Sequence, residues 1–323
     1  MQFTLKMFLE KRRKKFVSAN CTFFVASYFL NMKISGFTII RNAVINDYPI
    51  VEAIKSILPV VDEMIVLIGN SDDDTEGLIQ NINDPKIKIH HSVWDDSLRK
   101  GGQVLAVETD KAFQLIDPKS DWAFYIQGDE VVHEKYLPEI TNACKKYKDD
   151  KRVEGLLFRY LHFYGTYNYI GDSRRWYSHE VRIIRNDKNI SAYRDAQGFR
   201  KNNGKLIVKP INAFVYHYGW VKSPEQMLKK QKNVSRFWNE ESDEWKQYME
   251  KGDFFNFDDF DSLVKFTDTH PAVMYARINR KNWDVEIDLS KKRFSKKDKF
   301  LYWFERKTGI RPFSFKNYKI LKS

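Results

Sequence analysis

The chain has 323 residues, 42% hydrophobic, 15% aromatic and 30% charged, a globular composition long enough for one large domain with an appendage or for two domains, so disorder is not the default. Fifty-five Lys and Arg against 43 Asp and Glu give a net charge of +12, which attracts phosphates on nucleotides, nucleic acid or anionic lipid without choosing among them. Cys21 and Cys144 are too few and too far apart for a disulfide framework or a zinc site, and a reducing compartment is expected.

Residues 1–31 read differently from the rest. A basic run, Lys11-Arg12-Arg13-Lys14-Lys15, precedes a 15-residue stretch, Phe16 to Leu30, that is interrupted by Ser18, Asn20, Thr22 and Ser27. A spanning helix needs about 20 mostly apolar residues, so this one is short and polar for that role. Three readings stay open: an upstream extension before a start at Met32, a weak interfacial anchor, or a secretory leader with Val25-Ala26-Ser27 as the small-residue cleavage site.

From Lys33 onward strands and helices alternate. Phe37 to Ile40 predicts a strand and Ile50 to Leu58 a helix with Pro49 at its first turn. Met64 to Ile68 predicts a second strand, which enters the polar turn Gly69 to Gly77 before a helix near Leu78. Ile87 to His90 follows as a short strand and Gln103 to Leu115 as a helix. Trp122-Ala123-Phe124-Tyr125-Ile126, bounded by Asp121, is then an apolar run of a kind buried on both faces of a parallel sheet. It ends at Gln127-Gly128-Asp129-Glu130, and strand carboxyl ends line the ligand crevice of open α/β sheets. Adjacent carboxylates there repel each other unless a cation or basic group compensates them, and hard oxygen ligands suit Mg²⁺ or Mn²⁺. The plain alternative is a solvated exit from a strand.

The order of these elements, the acidic turn Ser71 to Gly77 and the strand-end Asp129 resemble a family 2 glycosyltransferase of the GT-A fold, over roughly residues 33–220. The resemblance implies an α/β fold, a mostly parallel sheet flanked by helices, with a helical C-terminal extension. In that family the acidic turn holds the uracil and ribose, and a later strand ends in Asp-x-Asp. Here Gln127 replaces the first acid and Asp129, the usual metal contact, is kept, while Asp73 stands where the family often has Gly. The resemblance further implies Mn²⁺ or Mg²⁺ at Asp129 with Glu130 as a possible second carboxylate. It implies a UDP-, GDP- or dTDP-sugar held by Arg41, Asn70, Asp72 and Gly128, and an acceptor hydroxyl on a glycan or lipid-linked sugar in surface polysaccharide or lipopolysaccharide assembly; Arg99 and Lys100, ahead of the Gln103 helix, either add positive charge and backbone amides at a donor phosphate or form a solvated loop.

Past residue 150 the alternation breaks. Gly155 to Tyr164 and Val181 to Arg185 are strands of high β propensity, separated by an aromatic, polar loop in which Trp176 and Tyr177 are either sugar platforms or core. Asp195 to Arg200 is expected in a loop, and Phe214 to Trp220 closes the sheet region. His217 is placed like the late His that completes the metal site in GT-A enzymes, or it is structural. By the same resemblance the base that takes the acceptor proton is Asp195 first and Glu180 second, Glu180 being otherwise an ion-pair partner of Arg182 or Arg185.

Pro224 to Glu250 carries helical spacing with Met227, Val234, Phe237 and Trp238 as its apolar stripe, followed by an acidic, Phe-rich connection and a short helix over 271–280. The tail from Lys291 is basic and aromatic. It suits either an anionic membrane surface or a helix whose aromatics pack back on the chain. The expected division is therefore an extension (1–31), a catalytic domain (32–222) and a helical, basic region (223–323), in a cytoplasmic protein peripheral to the inner face of the membrane. Two other readings compete: a catalytically silent sugar-binding relative, suggested by Gln127, and a nucleic-acid-binding protein using the +12 charge, for which no recognised signature is present.

Overall fold

The computed structural model describes residues 32–98, 100–235 and 255–322. The readings of residues 1–31, of Arg99 and the Lys100 side chain, and of Phe237 and Trp238 fall outside the described residues and side chains.

The β-branched apolar runs of the first half form the parallel core of the sheet. Ile34–Ile40 (β1), Glu63–Ile68 (β2), Ile87–His91 (β3) and Trp122–Tyr125 (β4) stand in the order β3-β2-β1-β4, all parallel. β1, β2 and β4 are buried along their whole length, as strands covered on both faces should be. Helices Ile50–Ile57 (α1), Thr75–Gln80 (α2) and Gln103–Gln114 (α3) make the connections. The second begins at Thr75 rather than near Leu78, because the Asp74 carboxylate accepts the Gly77 amide and caps the helix there.

After β4 the sheet changes sense. Glu130–Val132 (β5) is followed by the helix Leu137–Tyr147 (α4), then by Gly155–Gly165 (β6), Tyr169–Gly171 (β7) and His179–Arg185 (β8). β8 lies antiparallel to both β4 and β6. Ile190–Tyr193 (β9), Gly198–Lys201 (β10) and Gly204–Lys205 (β11) form a separate antiparallel sheet, so only the first part of the loop expected over Asp195 to Arg200 is a turn. Ile207–Val221 (β12), 15 residues long, runs parallel to β6 and antiparallel to β5.

The chain continues through Pro224–Ser235 (α5), Leu263–Lys265 (β13), Tyr275–Asn279 (α6), Lys296–Thr308 (α7) and Lys319–Ile320 (β14). The C-terminal region is thus helical with two short strands added, β13 on β7 and β14 on β12. The described residues from Ile34 onward make one compact unit. Its core joins Phe37, Phe113, Tyr125 and Phe199, whose ring centroids lie 5.2–6.5 Å apart, and a second aromatic cluster stacks Phe163 on Tyr216 and Tyr218. Each fully buried Phe contributes about 1.5–3 kcal/mol of apolar burial.

In the tail, α7 packs back on the chain through one face and leaves two aromatics exposed on another. Leu301 is buried, the Tyr302 hydroxyl donates to Asp172 and Glu305 pairs with Arg174 and Arg311, while Phe300 and Trp303 are 60% and 54% exposed.

Candidate active site

The strand order reverses between β1 and β4, since the chain leaves β1 toward β2 on one side and returns to β4 on the other. Such a switch point opens a crevice at the carboxyl ends of the strands. A cavity of about 640 Å³ lies there, lined by Ile39, Ile40 and Arg41 at the end of β1 and by Tyr125, Gln127, Gly128 and Asp129 after β4. That volume falls within the range of small-molecule sites.

The acidic turn supports this cavity rather than lining it. Asp72 accepts from the Asn42 side-chain amide at 3.2 Å, the Ser71 hydroxyl accepts the Asn42 backbone amide at 3.0 Å, and Asp73 accepts the Ile45 amide at 2.7 Å. These bonds clamp the loop after β1, in which Asn42 takes a left-handed φ of 55°, and turn Asn42, Asn46 and Tyr48 to the cavity. Asp73 therefore has a local task that a glycine could not perform. Asn70 likewise holds Trp94 in place, its Oδ1 accepting the Trp94 amide at 3.1 Å. Trp94 forms part of the wall, with the Arg41 guanidinium 5.8 Å from its ring. Of the residues expected to touch a donor, Arg41 and Gly128 line the cavity; Asn70 and Asp72 do not, being one step behind Trp94 and Asn42. Trp94 and Asn42 escaped the sequence reading because neither sits in a recognisable motif.

Sheet register brings the metal candidates together. β5 pairs with β12 so that Glu130 faces His217, and the Tyr218 amide donates to the Asp129 carbonyl at 2.8 Å. Asp129 Oδ1 then lies 3.7 Å from His217 Nε2, while its Oδ2 lies 3.3 Å from the Lys230 ammonium on α5. Gly219 permits this approach: a Cβ there would stand 2.7 Å from Asp129 Oδ2. Burial pushes the Asp129 carboxyl up, but the neighbouring ammonium groups, Lys230 first, outweigh it and hold the carboxyl at about 2. Burial also lowers His217, against the pull of Asp129, so its ring is neutral. Lys222, buried beside Lys230, is lowered to about 7.

Among the described residues no three His, Cys, Asp or Glu converge as a metal cluster. Asp129 and His217 nonetheless supply an oxygen and a nitrogen that would hold a divalent cation, with phosphate oxygens or water as its remaining ligands, as in Mg²⁺-type sites on substrate phosphates. Lys230 occupies the other carboxylate oxygen and leaves Oδ1 to that role.

Glu130 departs from expectation. It is fully buried, both oxygens are taken by Arg182 at 2.8 Å each, and Tyr160 donates to it at 2.7 Å. Neither a solvated acid nor a second carboxylate at the cation, it anchors the floor. Arg182 also donates to the Gln197 carbonyl, and Gln127 donates to the Ala196 carbonyl at 3.4 Å. These bonds hold the turn that presents Asp195, whose neighbours Arg194 and Ala196 both adopt φ of 58°. Asp195 lines the cavity with Tyr177 and Gln197. A neutral Gln127 thus bridges Arg182 and the Asp195 turn, where an acid would repel the Ala196 carbonyl.

Glu180 does not line the cavity, and neither Arg182 nor Arg185 forms an ion pair with it. It is 5% exposed, its Oε2 has no hydrogen-bond partner, and burial raises its carboxyl to about 8 despite Arg182. Between its ordinary value of 4.5 and about 8 the folded chain keeps a proton that the unfolded chain releases, so stability falls as pH rises through that window. Glu180→Gln is expected to remove this loss: the gain in melting stability over wild type should be small at pH 4.5 and grow to the order of a few kcal/mol by pH 8.

Trp176 packs on His162, with centroids 5.3 Å apart, and lies half-buried against the core; Tyr177, 41% exposed, faces the cavity. The helix beyond residue 222 belongs to the site as well. Met227 and Leu228 bury one side of α5, and Lys230, Gln231, Asn233 and Val234 line the cavity, with Asn233 donating to Asn46 at 3.0 Å across it. Lys230 was missed because a lysine in the run Lys229-Lys230-Gln231-Lys232 reads as solvated; only the docking of α5 reveals it.

No protein-family model and no curated protein matches this sequence. Similar solved structures include S. aureus TarS, with 12% identity and a TM-score of 0.35 over 63% of this chain and 39% of that one. Another is glucosyl-3-phosphoglycerate synthase from Mycobacterium tuberculosis in complex with Mn²⁺, uridine-diphosphate and phosphoglyceric acid, with 19% identity, a TM-score of 0.29, and coverage of 41% and 44%. A third is 4-diphosphocytidyl-2C-methyl-D-erythritolsynthase from Anaerococcus prevotii DSM 20548, with 16% identity, a TM-score of 0.30, and coverage of 48% and 70%. The chain spans less than two thirds of the first two, and likeness at this level carries no ligand or activity across to it. On its own topology, with parallel β3-β2-β1-β4, antiparallel β8 and a cavity at the switch point, the chain has a Rossmann-like fold of the GT-A type.

Proposed function

We propose that the chain is a glycosyltransferase that moves a sugar from a nucleoside diphosphate sugar to an acceptor hydroxyl with inversion. The observation that carries this is the meeting of Asp129, His217 and Lys230 in the cavity at the β1/β4 switch point, a preformed set of charges for a diphosphate. Arg41, Asn42 and Trp94 offer a planar and polar wall for the base and ribose. Asp129 and His217 would hold Mn²⁺ or Mg²⁺, which neutralises charge on the departing diphosphate. Lys230 adds a second positive charge at the same place.

Asp195 is the base. The acceptor oxygen forms its bond to the anomeric carbon as the bond from that carbon to the diphosphate oxygen breaks; the hydroxyl proton passes to the Asp195 carboxylate and the bonding pair leaves with the diphosphate. Tyr177, exposed at the cavity, gives the acceptor ring an apolar platform. The test is release of nucleoside diphosphate from a panel of UDP-, GDP- and dTDP-sugars by the full chain, with Mn²⁺ or with chelator. Metal-dependent release from one donor supports the proposal; no release and no calorimetric binding of any donor overturns it.

The acceptor is proposed to be a glycan or lipid-linked sugar of surface polysaccharide assembly, met at the cytoplasmic membrane face. No helix among the described residues is long and apolar enough to cross a membrane. Residues 291–323 hold twelve Lys and Arg against two acids, a net +10. On α7, Lys296, Phe300, Trp303 and Lys307 recur at helical spacing on the face opposite Leu301, an arrangement for anionic lipid rather than for bases. Anionic vesicles should therefore retain the protein where neutral vesicles do not. The pair Phe300→Ser and Trp303→Ser should weaken retention about tenfold or more in sedimentation.

A further inference from the structure

Behind His217 lies a second histidine that the proposed chemistry has not used. The parallel register of β6 and β12 sets His162 beside His217. His162 is 2% exposed and its ring is walled in by Trp176 at 5.3 Å, Tyr160 at 5.6 Å and the edge of Tyr177 at 4.3 Å, which leaves it no room to flip. Its Nε2 lies 2.7 Å from the Tyr177 carbonyl, and its Nδ1 lies 3.3 Å from His217 Nδ1.

A carbonyl can only accept, so His162 Nε2 must carry the hydrogen. The neutral ring then has a bare Nδ1, and a bare nitrogen 3.3 Å from His217 Nδ1 requires that His217 donate from Nδ1. His217 Nε2 is left with its lone pair, 3.7 Å from Asp129 Oδ1. Two acceptors facing each other cannot hydrogen-bond directly, and a cation between them satisfies both. We infer that His162 is a positioning residue: it locks His217 in the Nδ1–H tautomer and so aims a bare Nε2, with Asp129, at a divalent cation. The inference rests on reading Asp129 and His217 as the cation site. The Tyr177 carbonyl is part of the same device, so the aromatic turn that offers a sugar platform also sets the tautomer of the ligand behind it. In metal sites such outer partners fix ligand orientation and are worth about 10–100-fold in affinity.

The first measurement is long-range proton–nitrogen NMR on histidine-labelled, metal-free protein, with His217→Ala and His162→Phe assigning the signals. The expected result is His162 protonated on Nε2 and His217 on Nδ1; a His217 ring protonated on Nε2, or on both nitrogens, overturns the inference. The second is a Mn²⁺ titration in the presence of UDP, read by the paramagnetic signal of free Mn²⁺. His162→Phe keeps an aromatic ring but removes both nitrogens and should weaken Mn²⁺ about 10–100-fold in protein that remains folded. His162→Asn, which restores an acceptor toward His217, should recover part of the loss. Unchanged affinity in His162→Phe also overturns the inference. If wild type binds no Mn²⁺, the cation-site reading fails, and the NMR result still decides whether His162 sets the tautomer.

Discussion

Asp129→Asn is expected to lower donor turnover by about 10³ while the fold survives. The substitution keeps the volume and removes one charge from the place where three cationic or coordinating groups converge. In wild type the carboxyl is held at about 2 because the neighbouring ammonium groups, Lys230 first, outweigh its burial, so it is anionic at any working pH. Removing that charge leaves His217 as the lone cation ligand and lets Lys230 and Lys222 repel each other without a mediator, Lys222 being already depressed to about 7. The loss should therefore appear in kcat and in metal affinity together. An Asp129→Asn variant that turns over its donor at wild-type rate with Mn²⁺ would remove the diphosphate site from this cavity.

Arg182→Met is expected to be the most damaging single change to stability, about 3–5 kcal/mol, seen as a fall in melting temperature on the order of 10 °C. The guanidinium is 1% exposed and Glu130 is fully buried, so the Glu130 charge would be left in the interior with only neutral donors, the Tyr160 hydroxyl and the Gln127 backbone amide, and no cation. The same change releases the Gln197 carbonyl and loosens the turn that carries Asp195. Replacing both members, Arg182→Met with Glu130→Gln, should recover most of the stability, because no uncompensated charge remains. Activity should stay low in the double variant, since the Asp195 turn has lost its anchor. Equal stability loss in the single and double variants would mean that the pair is not what holds the floor.

Much of the parallel half was legible because buried strands announce themselves as unbroken apolar runs, and Trp122 to Ile126 is one. The strand-end Asp129 and the late His217 were found by order alone, and the β5–β12 pairing is what makes them neighbours. Glu130 shows the limit. One residue from Asp129 in sequence, it points to the opposite side because it begins a strand, and its partner Arg182 is 52 positions away. Asn70 and Asp72 lie in the motif yet serve Trp94 and Asn42, since a loop clamp and a ligand contact draw on the same residue types. Lys230 and His162 were invisible for a related reason: a lysine on a polar helix and a histidine in an aromatic strand gain roles only from what packs against them.

The most direct test of the central claim is diffraction from crystals soaked with Mn²⁺ and a nucleoside diphosphate, collected at the manganese edge. An anomalous peak bounded by Asp129 Oδ1 and His217 Nε2 is expected, with the diphosphate between it and Lys230 and the base beside Trp94. A nucleotide bound elsewhere, or an Mn²⁺ that ignores Asp129, would contradict that claim.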